Sequence, residues 1–169
     1  MPDQPKKSLS QADLLRQWRK KSSATPGRAI PAQPTDQPVA ATSGQRRLWL
    51  LQQLYLESAF YQYGHHYKFK GQLQPELLEL AFRQLLKRHD ILRTNYHRPE
   101  DEVEMIIRRE ADFKLTTFDL TDQPAESRLQ LAQQHADATV RDLFDLGKDL
   151  LLRAVLLQLN EAEHWLVIS

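Results

Sequence analysis

The stretch Arg88-His89-Asp90-Ile91-Leu92-Arg93-Thr94-Asn95-Tyr96 decides how this chain is read. It closes an amphipathic helix and opens a strand, with ionisable side chains on both sides of the apolar pair Ile91-Leu92. A strand beginning at Ile91 and Leu92 is expected to be buried, and it would carry Arg93 inward. A buried guanidinium must replace its lost hydration with a carboxylate or several carbonyls. Arg93 therefore predicts a specific acidic partner, as an internal salt bridge tying two elements together rather than a substrate contact. Arg88 reads as solvated. His89 reads as a helix-terminal residue whose positive form suits the helix dipole.

Working outward, Pro75 suits the first turn of that helix, and Leu78, Ala81, Phe82 and Leu85 form its predicted inner face. Before it, Tyr67 and Phe69 alternate with Lys68 and Lys70 as in a half-buried strand. Thr42-Ser43-Gly44-Gln45 fits a capping box and marks the expected start of the folded region. Leu48, Leu51, Leu54 and Tyr55 follow it at helical spacing. Downstream, residues 91–97 and 103–109 read as strands around a polar turn, and residues 113–120 as a shorter extended segment. A long helix is predicted from near Pro124, with Leu129, Ala132, Ala136, Val140 and Leu143 as its stripe and Gly147 ending or closely following it. Residues 150–159 and 165–168 are apolar runs joined by Asn160-Glu161-Ala162-Glu163, which predicts a hairpin with both strands largely buried. The fold class is α/β, a mixed sheet with packed helices.

Composition excludes several functions. The 169 residues carry a net charge of +1, which gives no electrostatic case for nucleic acid or an anionic membrane. Residues 1–41 hold seven basic against three acidic groups, and residues 42–169 hold sixteen against nineteen. The absence of cysteine removes thiolate nucleophiles, disulfides and Cys-ligated zinc, and fits a cytoplasmic protein. No apolar run is long enough to span a bilayer. Six of the nine prolines lie within residues 1–41, which read as a leader and an extended linker. Within that leader, residues 8–21 predict a short helix with Leu14, Leu15 and Trp18 as a stripe. As a functional reading it docks another chain; as a bland one it is a disordered leader with nascent helicity, the reading favoured here.

Candidate chemistry is sparse. His65-His66 invites a metal or a base, but strand neighbours point to opposite faces, so the two rings cannot converge on one ion. No other spacing supports a metal. The five glycines are scattered, so there is no phosphate loop. The residues alone leave the function open.

Two segments together narrow it. Residues 42–51, Thr-Ser-Gly-Gln-Arg-Arg-Leu-Trp-Leu-Leu, resemble the first core motif of nonribosomal peptide synthetase condensation domains, S-x-A-Q-x-R-[LM]-[WY]-x-L, through Gln45, Arg47, Leu48 and Trp49. Residues 88–96 resemble the second, R-H-E-x-L-R-T-x-F, through Arg88, His89, Leu92, Arg93 and Thr94, with Asp90 and Tyr96 as departures. Phe144-Asp145-Leu146, Leu151-Leu152-Arg153-Ala154 and the apolar hairpin are also similar to that family.

The resemblance implies a fold like the N-terminal half of a condensation domain, itself similar to chloramphenicol acetyltransferase. It also implies a reaction, in which a carrier-bound acceptor amine attacks a carrier-bound donor thioester to give an amide. The implied partners are peptidyl and aminoacyl carrier proteins and the rest of a synthetase; the implied cofactor is the carriers' phosphopantetheine, none being bound directly. The family's reaction centre, H-H-x-x-x-D-G, has an aspartate that resembles the missing partner for Arg93. His65-His66-Tyr67-Lys68-Phe69-Lys70-Gly71 copies its spacing but precedes the second motif and carries Lys70 in place of the acid. No catalytic residue is therefore assigned. The chain is expected to be a catalytically incomplete part of a condensation domain over residues 42–169, with an unfinished apolar strand at residues 165–169 and Arg93 unpaired. A non-catalytic docking module, a coenzyme-A-dependent acyltransferase and a heterocyclisation domain are the alternative expectations.

Overall fold

The computed structural model describes residues 37–59 and 61–169. The predicted docking helix over residues 8–21, with Leu14, Leu15 and Trp18, lies outside the described residues.

The closing hairpin organises the fold. Strand β6 (Ala154–Asn160) and strand β7 (Glu163–Ile168) pair antiparallel across the two-residue turn Glu161-Ala162. Asn160 fixes that turn by accepting the Ala162 N–H at 2.9 Å, an Asx-type bond that suits a tight reversal. β2 (His65–Lys70) adds to the outer side of β7 in antiparallel register, and β5 (Thr116–Asp119) runs parallel to β6. The four-stranded order is β2-β7-β6-β5, a mixed sheet as expected. A parallel pair needs a crossover, and here it is a helix of 17 residues, Ala125–Arg141, numbered α3 below.

Both faces of the sheet are covered, which is why the hairpin sequence is apolar without alternation. On one face, Val155, Leu157, Leu159, Trp165 and Val167 pack against Ala132 and Ala136 of α3. On the other, Ala154, Leu156 and Leu166 pack against Phe82 and Leu86 of helix α2 (Pro75–Arg88). β7 is therefore an inner strand with neighbours on both sides, not the unfinished edge that the sequence suggested.

A second sheet of three strands has the order β1-β4-β3, from β1 (Val39–Ala40), β3 (Thr94–His97) and β4 (Glu104–Ile107). β1 lies upstream of Thr42, so regular structure starts before the expected boundary. Buried Asn95 ties this sheet to the loop ahead of β6, donating to Leu146 O at 3.1 Å and Asp149 O at 2.8 Å.

Several details depart from expectation. On α2 the inner row is Leu78, Phe82 and Leu86 at a spacing of four, whereas Leu85 is 46% exposed and Ala81 is also exposed. On α3 the buried positions are Ala132, Ala136 and Thr139; Leu129 is 54% exposed, and Leu143 falls beyond the helix end at Arg141. Tyr67 and Phe69 face the α2 side, and on an edge strand they stay 50% and 39% exposed, close to the half-buried expectation. The predicted strand at residues 91–97 begins only at Thr94, because Asp90–Arg93 form a turn of 3-10 helix that leaves Ile91 58% exposed.

Candidate functional site

Helix α1 (Ser43–Leu54) starts on the expected capping box. Gln45 N–H donates to Thr42 Oγ1 at 3.4 Å, and Thr42 N–H donates to Gln45 Oε1 at 2.8 Å. With its oxygen held by the cap, the Gln45 amide nitrogen is directed at the Tyr96 hydroxyl, 3.4 Å away. That contact joins the first motif to the last residue of the second. Burial pushes the Tyr96 phenol above its ordinary range, and the Gln45 hydrogen bond draws it partly back.

Beside this contact lies a groove of about 560 Å³. Its α1 wall presents Leu48, Trp49, Leu51 and Tyr55. The opposite wall, from the segment between α3 and β6, presents Leu143, Phe144, Leu146 and Leu151. Two further amides brace it. Gln52 Nε2 donates to Phe144 O at 2.6 Å, and Gln62 Nε2 donates to Val140 O at 2.6 Å and Asp142 O at 2.8 Å. Gln62 also reaches Ser169 Oγ at 3.2 Å, so one amide connects the end of α3 with the end of the β7 strand. The Arg153 guanidinium lies 4.4 Å from the Phe144 ring centroid, pairs with Asp142 Oδ2 at 3.1 Å and donates to Asp142 O at 2.7 Å.

The second motif divides between this site and the scaffold. Arg93 is buried, as predicted, but its acidic partner is local and its other partners are carbonyls. Nε donates to Leu86 O at 2.7 Å, Nη1 donates to the carbonyls of Arg108 and Arg109, and Nη2 is paired with Asp90. The expectation of an unpaired Arg93 is therefore corrected. A 3-10 turn eclipses positions three apart, which brings Asp90 beside Arg93 in a way a strand would not. Thr94 is buried and donates its hydroxyl to Asp90 O at 2.9 Å, and Leu92 packs half-buried against the α2 cluster. His89 is the exposed C-cap of α2, and Arg88 is exposed in its last turn. Arg47 is exposed on α1 and does not line the groove, whereas Gln45, Leu48 and Trp49 do. His65 and His66 diverge: His65 faces Tyr63 and Tyr67, while His66 stacks on Trp165 at 5.6 Å. No described helix is long and apolar enough to cross a membrane.

The profile of the Condensation domain family matches residues 35–169, the greater part of the chain. The chain belongs to the condensation-domain family. Its relatives include a cyclosporin synthetase of Tolypocladium inflatum, 31% identical over 82% of this chain and 1% of the relative. Bacitracin synthase 3 of Bacillus licheniformis is 33% identical over 77% of this chain and 2% of the relative. Among solved structures, a mutant starter condensation domain of rhizomide synthetase in complex with C8-CoA superposes with a TM-score of 0.70 at 26% identity, over 78% of this chain and 30% of that one. The chain thus spans a small share of the synthetases and under a third of the solved domain. Condensation-domain membership agrees with both sequence motifs and with the mixed α/β fold.

The motifs did not disclose the groove. Leu143 read as helix stripe, and Gln52 and Gln62 carry no pattern of their own. Phe144-Asp145-Leu146 was the one available signal for the second wall.

Proposed function

We propose that residues 42–169 supply scaffold from the N-terminal half of an amide-forming condensation domain in a nonribosomal peptide synthetase. In that reading the complete domain joins a donor acyl or peptidyl thioester to an acceptor amine, each delivered on the phosphopantetheine arm of a carrier protein. The observation that carries it is the meeting of the two family motifs at Gln45 and Tyr96, in register with a family match over residues 35–169. This stretch forms no amide unaided, because no residue in it combines a reactive base with the H-H-x-x-x-D-G order. Its parts hold shape: Arg93 anchors α2 to the residues that follow β4 through carbonyls, and Gln62 holds the end of α3 to Ser169 just after β7.

The test uses donor- and acceptor-loaded carrier proteins. The chain alone is expected to give no condensed product above a protein-free control. A hybrid in which residues 42–169 replace the matching stretch of a competent condensation domain is expected to give product. Product from the chain alone, or a folded hybrid with no activity, overturns the reading.

A further inference from the structure

Strand β2 is the outer strand of the four-stranded sheet, it pairs with β7 alone, and all six of its residues are exposed. The backbone bonds fix which of them turn outward. Gly71 N–H donates to Ala162 O at 2.8 Å, and these residues stand opposite each other, one step beyond the Lys70–Glu163 pair. Opposed residues of an antiparallel ladder alternate between bonded and unbonded pairs, so Phe69, Tyr67 and His65 are the residues bonded to β7. The other side of β7 agrees. Ser169 and Arg153 exchange both bonds, which turns Val167 and Trp165 toward β6 and leaves Ile168, Leu166 and His164 to β2. The N–H and C=O groups of His66, Lys68 and Lys70 therefore point away from the sheet, and among the described residues none bonds to them. The register is continuous from His65 to Lys70, without proline or bulge to blunt the edge. The two faces of β2 differ in chemistry. Toward α2, the rings of Tyr63, His65 and Tyr67 follow one another at 5.7 and 6.4 Å, with Tyr63 79% exposed. Toward α3, His66 stacks on Trp165 and the Lys68 ammonium lies 4.5 Å from the same ring centroid. The Lys68 charge is thus held by a ring and not by a carboxylate, whereas Lys70 has Glu163 across the ladder. Unlike charges across a ladder stabilise pairing and like charges oppose it, so this edge repels a second copy and favours an acidic strand.

We propose that the outer edge of β2 docks an extended segment of a partner protein, alternating acidic and apolar residues, which adds to the sheet as an antiparallel strand. Its acidic residues exchange backbone bonds with His66, Lys68 and Lys70 and bring their carboxylates beside Lys68 and Lys70. Its apolar side chains fall on the other face, beside Tyr67 and Phe69. This surface goes beyond the condensation reading and does not depend on it.

The test uses the full chain and a fluorescein-labelled, end-blocked peptide, Glu-Val-Glu-Val-Glu-Val, in two forms. One is N-methylated on its valines, which leaves the glutamate N–H groups free to pair with β2 and stops the peptide stacking on itself. The other is N-methylated on its glutamates, which places methyl groups between the strands. Anisotropy is expected to show the second form binding at least about tenfold more weakly than the first. Hydrogen exchange in the free chain is expected to be fast at the amides of His66, Lys68 and Lys70 and slow at Tyr67 and Phe69, and the first peptide is expected to slow the three fast ones. Lys68→Glu, at an exposed position, is expected to keep the native circular dichroism and to lose about tenfold or more in affinity, with Lys70→Glu losing less. A peptide with lysine in place of glutamate is expected to restore binding to Lys68→Glu. Equal binding of the two methylated forms, no binding of either at about 1 mM, or unchanged exchange at the three amides under saturating peptide overturns the proposal. So does a dimer of the chain that protects the same three amides, since it makes a second copy the occupant.

Discussion

The side-chain amide of Gln62 donates to the carbonyl of Val140 at 2.6 Å, across 78 positions of sequence. The same nitrogen reaches Asp142 O and Ser169 Oγ. The last carbonyls of a helix have no partner within the helix, so a side chain arriving from elsewhere is one way of satisfying them. Here it also fixes the loop ahead of β2 against the end of β7.

Replacing Gln62 with Leu keeps the volume and removes the donor. The carbonyls of Val140 and Asp142 then lose this bond, at a cost of about 1–3 kcal/mol. Urea denaturation is expected to show a lower midpoint with an unchanged slope. A midpoint equal to the parent's would show that solvent replaces the amide at no cost.

Gly64 is pressed against the same helix. A Cβ at this position would lie 2.6 Å from Val140 Cγ1 and 3.0 Å from its Cβ, closer than packed carbons tolerate. Gly64→Ala is expected to destabilise by about 1–3 kcal/mol through overpacking. Adding Val140→Ala should recover part of the loss, giving a coupling energy of about 0.5–3 kcal/mol in a double-mutant cycle. Strict additivity of the two changes would mean that the backbone moves apart instead.

Arg93 and Asp90 should respond unequally. Arg93→Met removes the donors to the Leu86 and Arg108 carbonyls and leaves Asp90 without its ion pair, an expected loss of about 3–5 kcal/mol. Asp90 is 47% exposed at its side chain and leaves Arg93 its three carbonyl acceptors when changed to Asn. Asp90→Asn is therefore expected to cost about 1 kcal/mol or less. Equal losses in calorimetric stability would return the dominant role to the carboxylate.

The pH dependence has two arms with opposite signs. Asp145 is held below its ordinary range, first by the Gly147 N–H at 2.8 Å and then by Lys148. Its folded value is lower than its unfolded one, so its contribution is present above about pH 3.9 and is lost as pH falls through the folded value. Tyr96 is raised by burial, so its contribution is present below about pH 10 and is lost as pH climbs through the raised value. Asp145→Asn should flatten the acid arm of a stability–pH profile, and Tyr96→Phe the alkaline arm. An acid arm unchanged by Asp145→Asn would assign it to other carboxylates.

The elements that were legible in the sequence are those whose cause is local. The capping box at Thr42 and Gln45 depends on a spacing of three residues, and the hairpin on two apolar runs beside an Asn-led turn. Arg93 shows where local pattern misleads. Its burial was legible, but treating residues 91–97 as strand places Asp90 and Arg93 on opposite faces, which hides the acid three positions away. The carbonyl cage has no sequence signature at all, since every residue carries the acceptor. β1 was hidden for another reason: two residues, Val39 and Ala40, pair with β4 more than sixty positions away inside a proline-rich stretch.

The groove was illegible because its two walls lie far apart along the chain and its amides act through distant backbone. The segment from Leu143 to Leu151 follows α3 with enough leucine to resemble more helix. It departs because Asp142 caps α3 and Asp145 turns the chain at Gly147.

The pairing of β2 with β7 also sets an order of events during synthesis. His65 meets Ile168, and Lys70 meets Glu163, so β2 has no strand to join until nearly the whole stretch has left the ribosome. Until then its ladder edge, with Tyr67 and Phe69 on one face, is open to any passing strand. Contacts this distant slow folding through the entropy of closing the loop. The lysines at positions 68 and 70 fall where like charge would repel a second copy of the same edge, which suits them to guard β2 during that wait.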